Sequence, residues 1–291
     1  MVADVYALAS RLFRPLVKQF DTLFVPLNED LRRAHLRIIR EQWAAIVFLA
    51  GFAALAIAFV LGLILLLASH ALTTTAFLLL IPISAAIGLT AGAVTYYYPA
   101  TVAGERKKKI DNALPFAGIY LNTISRSGFP PHVLFKMLAH FKEYGEVSVE
   151  AGRINNDTEI LGMDLPTALT RAIERSPSND WTELLAGMRT TVMIGGDLGA
   201  FLAEKTRGLV AGYKRRLNDY SNFVQLLIEV YITLVIVGTI FFIVTTSIMV
   251  AIGGIPVVLV KNLNYAVVLL GLPALTAAFI LIIKGASPIE N

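Results

Sequence analysis

Four apolar runs without a single Asp, Glu, Lys or Arg decide what this chain can fold into. They cover residues 43–68, 76–97, 230–253 and 265–283. A helix rising 1.5 Å per residue needs about 20 apolar residues to cross the ~30 Å of a bilayer's hydrocarbon, and each run has about that length. A soluble core helix has no use for so long an uncharged stretch, and four of them in one chain point to lipid. Composition agrees, with 56% hydrophobic and 16% charged residues where soluble domains carry about a quarter charged. The expected fold is an all-α membrane protein. Four transmembrane helices would carry a cytoplasmic helical bundle of about six helices, inserted between the second and third spans.

Basic residues orient the spans. Arg32, Arg33, Arg37 and Arg40 precede the first run, and Arg106, Lys107, Lys108 and Lys109 follow the second. Lys214, Arg215 and Arg216 precede the third, and Lys284 follows the fourth, leaving Lys261 for the far side. The positive-inside rule then places both termini and residues 98–222 in the cytoplasm of a multi-pass cell-membrane protein. The expected organisation is an amphipathic segment over 1–41, a membrane hairpin over 42–97, a soluble region over 98–222, a second hairpin over 223–284 and a tail over 285–291. The first apolar run starts too far from Met1 for a secretory signal. Leu8, Leu12, Leu16, Phe20 and Leu23 give the N-terminal segment an amphipathic pattern suited to a membrane surface, with Pro15 inside it; covering the cytoplasmic helices is the alternative.

The soluble region holds 16 Lys/Arg and 14 Asp/Glu, so it is close to neutral. Its cations crowd the two membrane-proximal ends, where Arg106, Lys107, Lys108, Lys109, Lys214, Arg215 and Arg216 would meet anionic headgroups. Aromatic residues do not alternate with them, so nucleic acid is not an expected partner. Apolar spacing reads as helices throughout. Leu114, Ala117, Leu121 and Ile124 form one face, and Leu134, Met137, Leu138 and Phe141 a second after Pro130-Pro131. A third helix spans about 147–161. A fourth is capped by Asp164 and carries Leu165, Ala168, Leu169, Ala172 and Ile173. A fifth carries Trp181, Leu184, Leu185, Met188 and Val192 and ends at Gly195-Gly196. From Leu198 to Ala251 no proline or glycine pair interrupts the pattern, which predicts one helix running from the bundle into the third span. A break at Gly208 or Gly212 would contradict it.

Chemistry is sparse. The chain has no cysteine, and His35, His70, His132 and His140 lack ligand spacing, so neither metal nor cofactor is expected. Gly195-Gly196-Asp197 lacks the Lys-Ser/Thr of a phosphate loop. No catalytic triad is evident, and an enzyme is not expected. Glu229 is the one acidic group at the edge of a span. A transporter or channel subunit is therefore the alternative reading rather than the leading one.

Short motifs carry a resemblance. They are Ser127-Gly128-Phe129-Pro130, Leu161-Gly162 with Asp164-Leu165 and Ala168-Leu169, Ser176-Pro177-Ser178, Leu184-Leu185 with Gly187, and Gly195-Gly196-Asp197-Leu198. From Leu114 to Leu209 the chain resembles the F domain of type II secretion and type IV pilus machines. Its Ser-Pro-Ser and Gly-Gly-Asp-Leu motifs resemble those of archaeal archaellum and pilus platforms, and one F domain between two pairs of spans resembles the tight-adherence pilus subfamily. The longer relatives carry two F domains, whereas this sequence shows one, so the resemblance implies a second copy or a paralogous subunit. It further implies a non-enzymatic scaffold that couples a hexameric secretion ATPase to pilin extraction and filament growth. Corner residues Arg126, Glu159, Asp164 and Asp197, with Lys205 and Arg207 beyond, are the candidate ATPase contacts; Asp164 and Asp197 also suit helix caps. Gly128, Gly162, Gly195 and Gly196 would supply corner geometry. Phe129 represents the alternative, an apolar contact.

Overall fold

The computed structural model describes residues 17, 21–36, 38–68, 74–254 and 256–286, and among them every regular element is helical. Met1–Leu202 and Ala203–Asn291 form two compact units. In the first, a 3₁₀ turn at Asp21–Phe24 leads into α1 (Leu27–Arg33), α2 (Arg40–Ala68) and α3 (Thr74–Ser125). Four shorter helices follow: α4 (Pro131–His140), α5 (Glu146–Glu159), α6 (Leu165–Arg175) and α7 (Asn179–Met193). Then come α8 (Leu198–Tyr231), a π-helical turn over Ile232–Val237 and α9 (Gly238–Ala251). Helical backbone thus runs from Leu198 to Ala251 without a break at Gly208 or Gly212. The last elements are α10 (Val257–Ala266) and α11 (Leu272–Ala286), joined by a second π-helical turn. Four helical stretches are long and apolar enough to cross a membrane, and the protein is an all-α, multi-pass membrane protein.

The second span differs from the sequence expectation. Its helix does not stop near Tyr97 but continues through Pro99 and Pro115 to Ser125, so α3 enters the bundle as one rod. A proline inside a helix frees the carbonyl four residues back. For Pro99 that carbonyl belongs to Thr95, and the indole Nε1 of Trp43 donates to it at 3.3 Å. Trp43 therefore satisfies the acceptor that Pro99 leaves open, while its ring stacks on Tyr98 at 6.0 Å. Trp43, Tyr96, Tyr97 and Tyr98 make an aromatic band of the kind that sits at a bilayer surface. Above it α2 and α3 approach closely: a Cβ on Gly88 would lie 2.9 Å from the Gly51 carbonyl oxygen and 2.8 Å from Leu55 Cβ. Small residues permit that approach.

Below the band, Ile110, Leu114, Ala117 and Leu121 of α3 are fully buried. The bundle also buries Leu134, Phe135 and Leu138 of α4, Val147, Ala151 and Ile154 of α5, Ala168, Leu169 and Ala172 of α6, and Trp181, Leu184, Leu185 and Met188 of α7. Phe135, not Phe141, completes the α4 face. The helix ends at His140, and Phe141 leaves it at φ −90°, ψ 85°, so the seven-residue spacing from Leu134 no longer holds. Phe141 instead packs on Tyr120 at 4.6 Å. The Ser176-Pro177-Ser178 break is a built corner. Ser178 accepts from the Trp181 N–H at 3.1 Å and donates to the Asp111 carboxylate, while its own N–H donates to the Ser176 hydroxyl at 3.1 Å.

Two further expectations change. The connection before the fourth span is shorter than residues 254–264, because Pro256 pre-sets the first turn and α10 begins at Val257. In the N-terminal segment Leu8, Leu12, Leu16 and Phe20 lie outside the described residues. The described part covers other elements: Phe24, Leu27 and Leu31 are buried with Trp43, Ala44 and Val47, and Phe24 meets Phe48 and Tyr96.

Candidate functional site

Helix directions sort the bundle into two ends. α3 runs away from its apolar half, α4 returns, α5 runs out, α6 returns and α7 runs out. Pairings across helices fix this alternation. Arg106 near the start of the soluble part meets Glu146 at the start of α5, and Arg175 at the end of α6 meets Glu150. Lys136 of α4 meets Glu159 at the end of α5. At the far end Gly199 approaches the Ser125 hydroxyl and Arg126. Three corners, at 126–130, 160–164 and 194–197, therefore gather at the end farthest from the apolar half of α3.

Each corner turns on a glycine in left-handed backbone: Gly128 at φ 76°, Gly162 at 66° and Gly195 at 67°. Other residues pay a steric penalty there, which explains glycine at these three. Gly196 is not of that kind; its N–H closes the α7 end by donating to the Thr191 carbonyl at 2.9 Å. The tight turns push apolar residues outward. Ile194 is 75% exposed and Ile160 74%, with Met193, Leu161 and Phe129 also exposed. Soluble surfaces show single apolar residues everywhere, but five on three corners at one end of the bundle exceed that background.

Around them stand the charges marked from sequence. Asp164 caps α6 by accepting from the Thr167 N–H at 3.1 Å, and Asp197 caps α8 by accepting from the Ala200 N–H at 3.0 Å. Hydrogen bonds from Thr167, side chain first and backbone second, hold the Asp164 carboxyl below its usual value. Glu159 is held low by its hydrogen bonds from Lys136 and then Asn155. Arg126 is exposed beside Gly199. Lys205 and Arg207 lie past residue 202, in the second unit, where Arg207 pairs with Glu204 at 2.6 Å.

The opposite end of the bundle holds what sequence reasoning missed. Glu150 is fully buried, and three guanidinium groups reach it: Arg106 at 2.8 Å, Arg153 at 3.1 Å and Arg175 at 3.2 Å. Arg106 also meets Glu146 at 2.9 Å and the Arg33 carbonyl, and Arg175 also meets Asp157 at 3.0 Å. His35 Nε2 lies 3.3 Å from Glu150. Arg106 is thus not a headgroup-facing residue. It is 7% exposed and ties α3, α5 and the N-terminal segment together. Lys107, Lys108, Lys109, Lys214, Arg215 and Arg216 are exposed. Spacing alone was ambiguous: Arg106 falls three residues after buried Ala103 and four before buried Ile110, and Lys107 falls four after and three before, so helical phase admits both to the core side. Glu150 sits beside Val147, Ala151 and Ile154 on the inward face of α5.

Spans and bundle define a class, a multi-pass helical membrane protein that carries a helical bundle. Residues 119–246, from α3 through the bundle into the third span, match the family model described as type II secretion system (T2SS), protein F. The matched stretch is less than half of the 291-residue chain. An uncharacterized protein of Methanocaldococcus jannaschii is 27% identical over 135 residues, 46% of this chain but only 23% of that relative's length. No solved structure matches the chain.

Proposed function

We propose that the protein is the membrane platform of a type IV pilus-like, archaellum or type II secretion machine, coupling a hexameric cytoplasmic ATPase to pilin extraction and filament assembly. The observation that carries this reading is the far end of the bundle. Phe129, Ile160, Leu161, Met193 and Ile194 supply an apolar centre, and Arg126, Glu159, Asp164 and Asp197 a charged rim, which is how interfaces are commonly divided. The apolar centre supplies affinity and the rim orientation. Lys205 and Arg207 of α8 would be further contacts for the ATPase. With residues 98–222 in the cytoplasm, α3 and α8 are each continuous from bundle to span, so a displacement at the end face has two helical routes to the membrane. A second copy or a paralogue would supply the other F domain, and Lys107–109 with 214–216 would rest on lipid headgroups.

The test is paired. Glu159→Lys with Asp164→Lys reverses the rim; Met193→Asp with Ile194→Asp breaks the centre. Both double variants should insert into membranes normally, lose co-purification with the cognate ATPase and make no filaments. Buried apolar anchors are worth about 2 kcal/mol or more, so the second variant should bind about 30-fold more weakly. Normal filaments in both variants would overturn the assignment of this face.

A further inference from the structure

We propose that the cleft between the N-terminal segment and helices α5 and α6, lined by Arg32, His35, Arg153 and Arg175, is a binding site for a phosphate group. The cleft has a volume of about 290 Å³, with Leu31 and Leu36 completing its wall. At about 30 Å³ per water that is room for a phosphate group and several waters.

Local structure explains why cations converge there. α1 ends in a reversed turn in which His35 takes the left-handed conformation, φ 57°, and the Leu36 N–H donates to the Leu31 carbonyl at 3.1 Å. That turn carries the His35 ring onto Arg153 and against Glu150. Arg32, one turn earlier, reaches over α6 to Glu174 at 3.2 Å.

The charges do not balance. Arg32, Arg106, Arg153, Arg171 and Arg175 face Glu146, Glu150, Asp157 and Glu174, five cations against four anions before His35 is counted. Arg153 is the surplus. Its acid is Glu150, which Arg106 and Arg175 already satisfy. Burial first, and the neighbouring Arg175 second, hold its guanidinium below the usual range. Arg175 adds a second observation: its Nη2 is buried and has no hydrogen-bond partner among the described residues. Unpaired buried donors are costly, and guanidinium forks suit phosphate oxygens. An anion seated here would offset the surplus. Free phosphate and the phosphate of a lipid headgroup share this chemistry, and the cleft is on the membrane-proximal end of the bundle.

The full chain is purified in detergent and stripped of lipid, and its unfolding midpoint is measured against inorganic phosphate, with chloride at matched ionic strength as control. A parallel arm compares nanodiscs of phosphatidylcholine with and without phosphatidic acid. Arg32→Gln and Arg153→Gln are the variants, because each leaves Arg106 and Arg175 on Glu150. The wild-type midpoint should rise saturably with phosphate, and each variant should need at least about tenfold more for the same rise. A response to phosphatidic acid alone, lost in the variants, identifies the headgroup as the source; a response to inorganic phosphate shows that the free ion suffices. A chloride response equal to that of phosphate, variants that respond like wild type, or no response in either arm overturns the proposal.

Discussion

Glu150→Gln tests whether the buried charge cluster fastens the bundle to α3. Removing one partner of a buried ionic cluster costs about 3–5 kcal/mol, because the opposing charge stays buried without an anion. Structure narrows the range. Of the three guanidinium groups on Glu150, Arg106 keeps Glu146 and Arg175 keeps Asp157, so only Arg153 loses its acid altogether. Glutamine keeps the shape and one carbonyl acceptor. The lower figure, about 3 kcal/mol, is therefore expected, and at 1.36 kcal/mol per decade this raises local opening about 150-fold. Hydrogen exchange of the α5 amides in detergent reads it directly. Glu174→Gln is the internal comparison, since the Arg32–Glu174 pair is about half exposed and such pairs contribute about 0–1 kcal/mol. Exchange in α5 should change less than about fivefold in that variant. If Glu150→Gln changes exchange no more than Glu174→Gln does, the cluster does not hold the bundle, and the role given to Arg106 fails with it.

Acid should loosen the 160–164 corner. The Asp164 pKa is lowered in the folded state, so its contribution is fully present above the ordinary value of 3.8 and is lost as pH falls through the lower folded value. Protection of the Thr167 amide should follow that loss, and Asp164→Asn should keep the cap while removing the pH dependence. In the membrane hairpin, Gly88→Leu should cost about 1–3 kcal/mol by forcing α2 from α3, seen as a lower unfolding midpoint, while Gly104→Leu, with nothing within 4 Å, should cost nothing. Orientation is open to single-cysteine labelling, because the sequence contains no cysteine. Lys108→Cys should react with an impermeant maleimide only after lysis and Gly254→Cys in intact cells; the reverse pattern would place the bundle outside and remove any cytoplasmic motor.

What could be read from sequence was set by how local the determining physics is. The spans follow from hydropathy alone. Leu114, Ala117, Leu121, Leu184, Leu185 and Met188 follow from a 3.6-residue period, and all are buried. Asp164 and Asp197 as caps follow from the preference of a carboxylate for free N–H groups at a helix start, and both bonds are present. The continuity of α3 was not legible, because the apolar run ends at Tyr97 and a proline, Pro99, follows it. Its tolerance depends on Trp43, 56 residues earlier, supplying a donor to Thr95. The charge cluster was hidden for the same reason: its members come from residues 33–35, 106, 146–157 and 175.

Arg106 shows where the two kinds of information meet. Grouped with Lys107, Lys108 and Lys109, it belongs to a run of charge beside a membrane, and composition assigns all four to headgroups. Phase along the helix narrows the choice to Arg106 and Lys107, which both fall three or four residues from buried Ala103 and Ile110, and it is Arg106 that the structure buries. A cation on a buried stripe requires an anion on a facing stripe, because an unpaired buried charge is too costly to persist. Glu150 is the acid on the inward face of α5. The same requirement leads to the phosphate proposal: three guanidinium groups around one buried carboxylate leave positive charge over, and the cleft beside Arg153 is where a further anion would complete it.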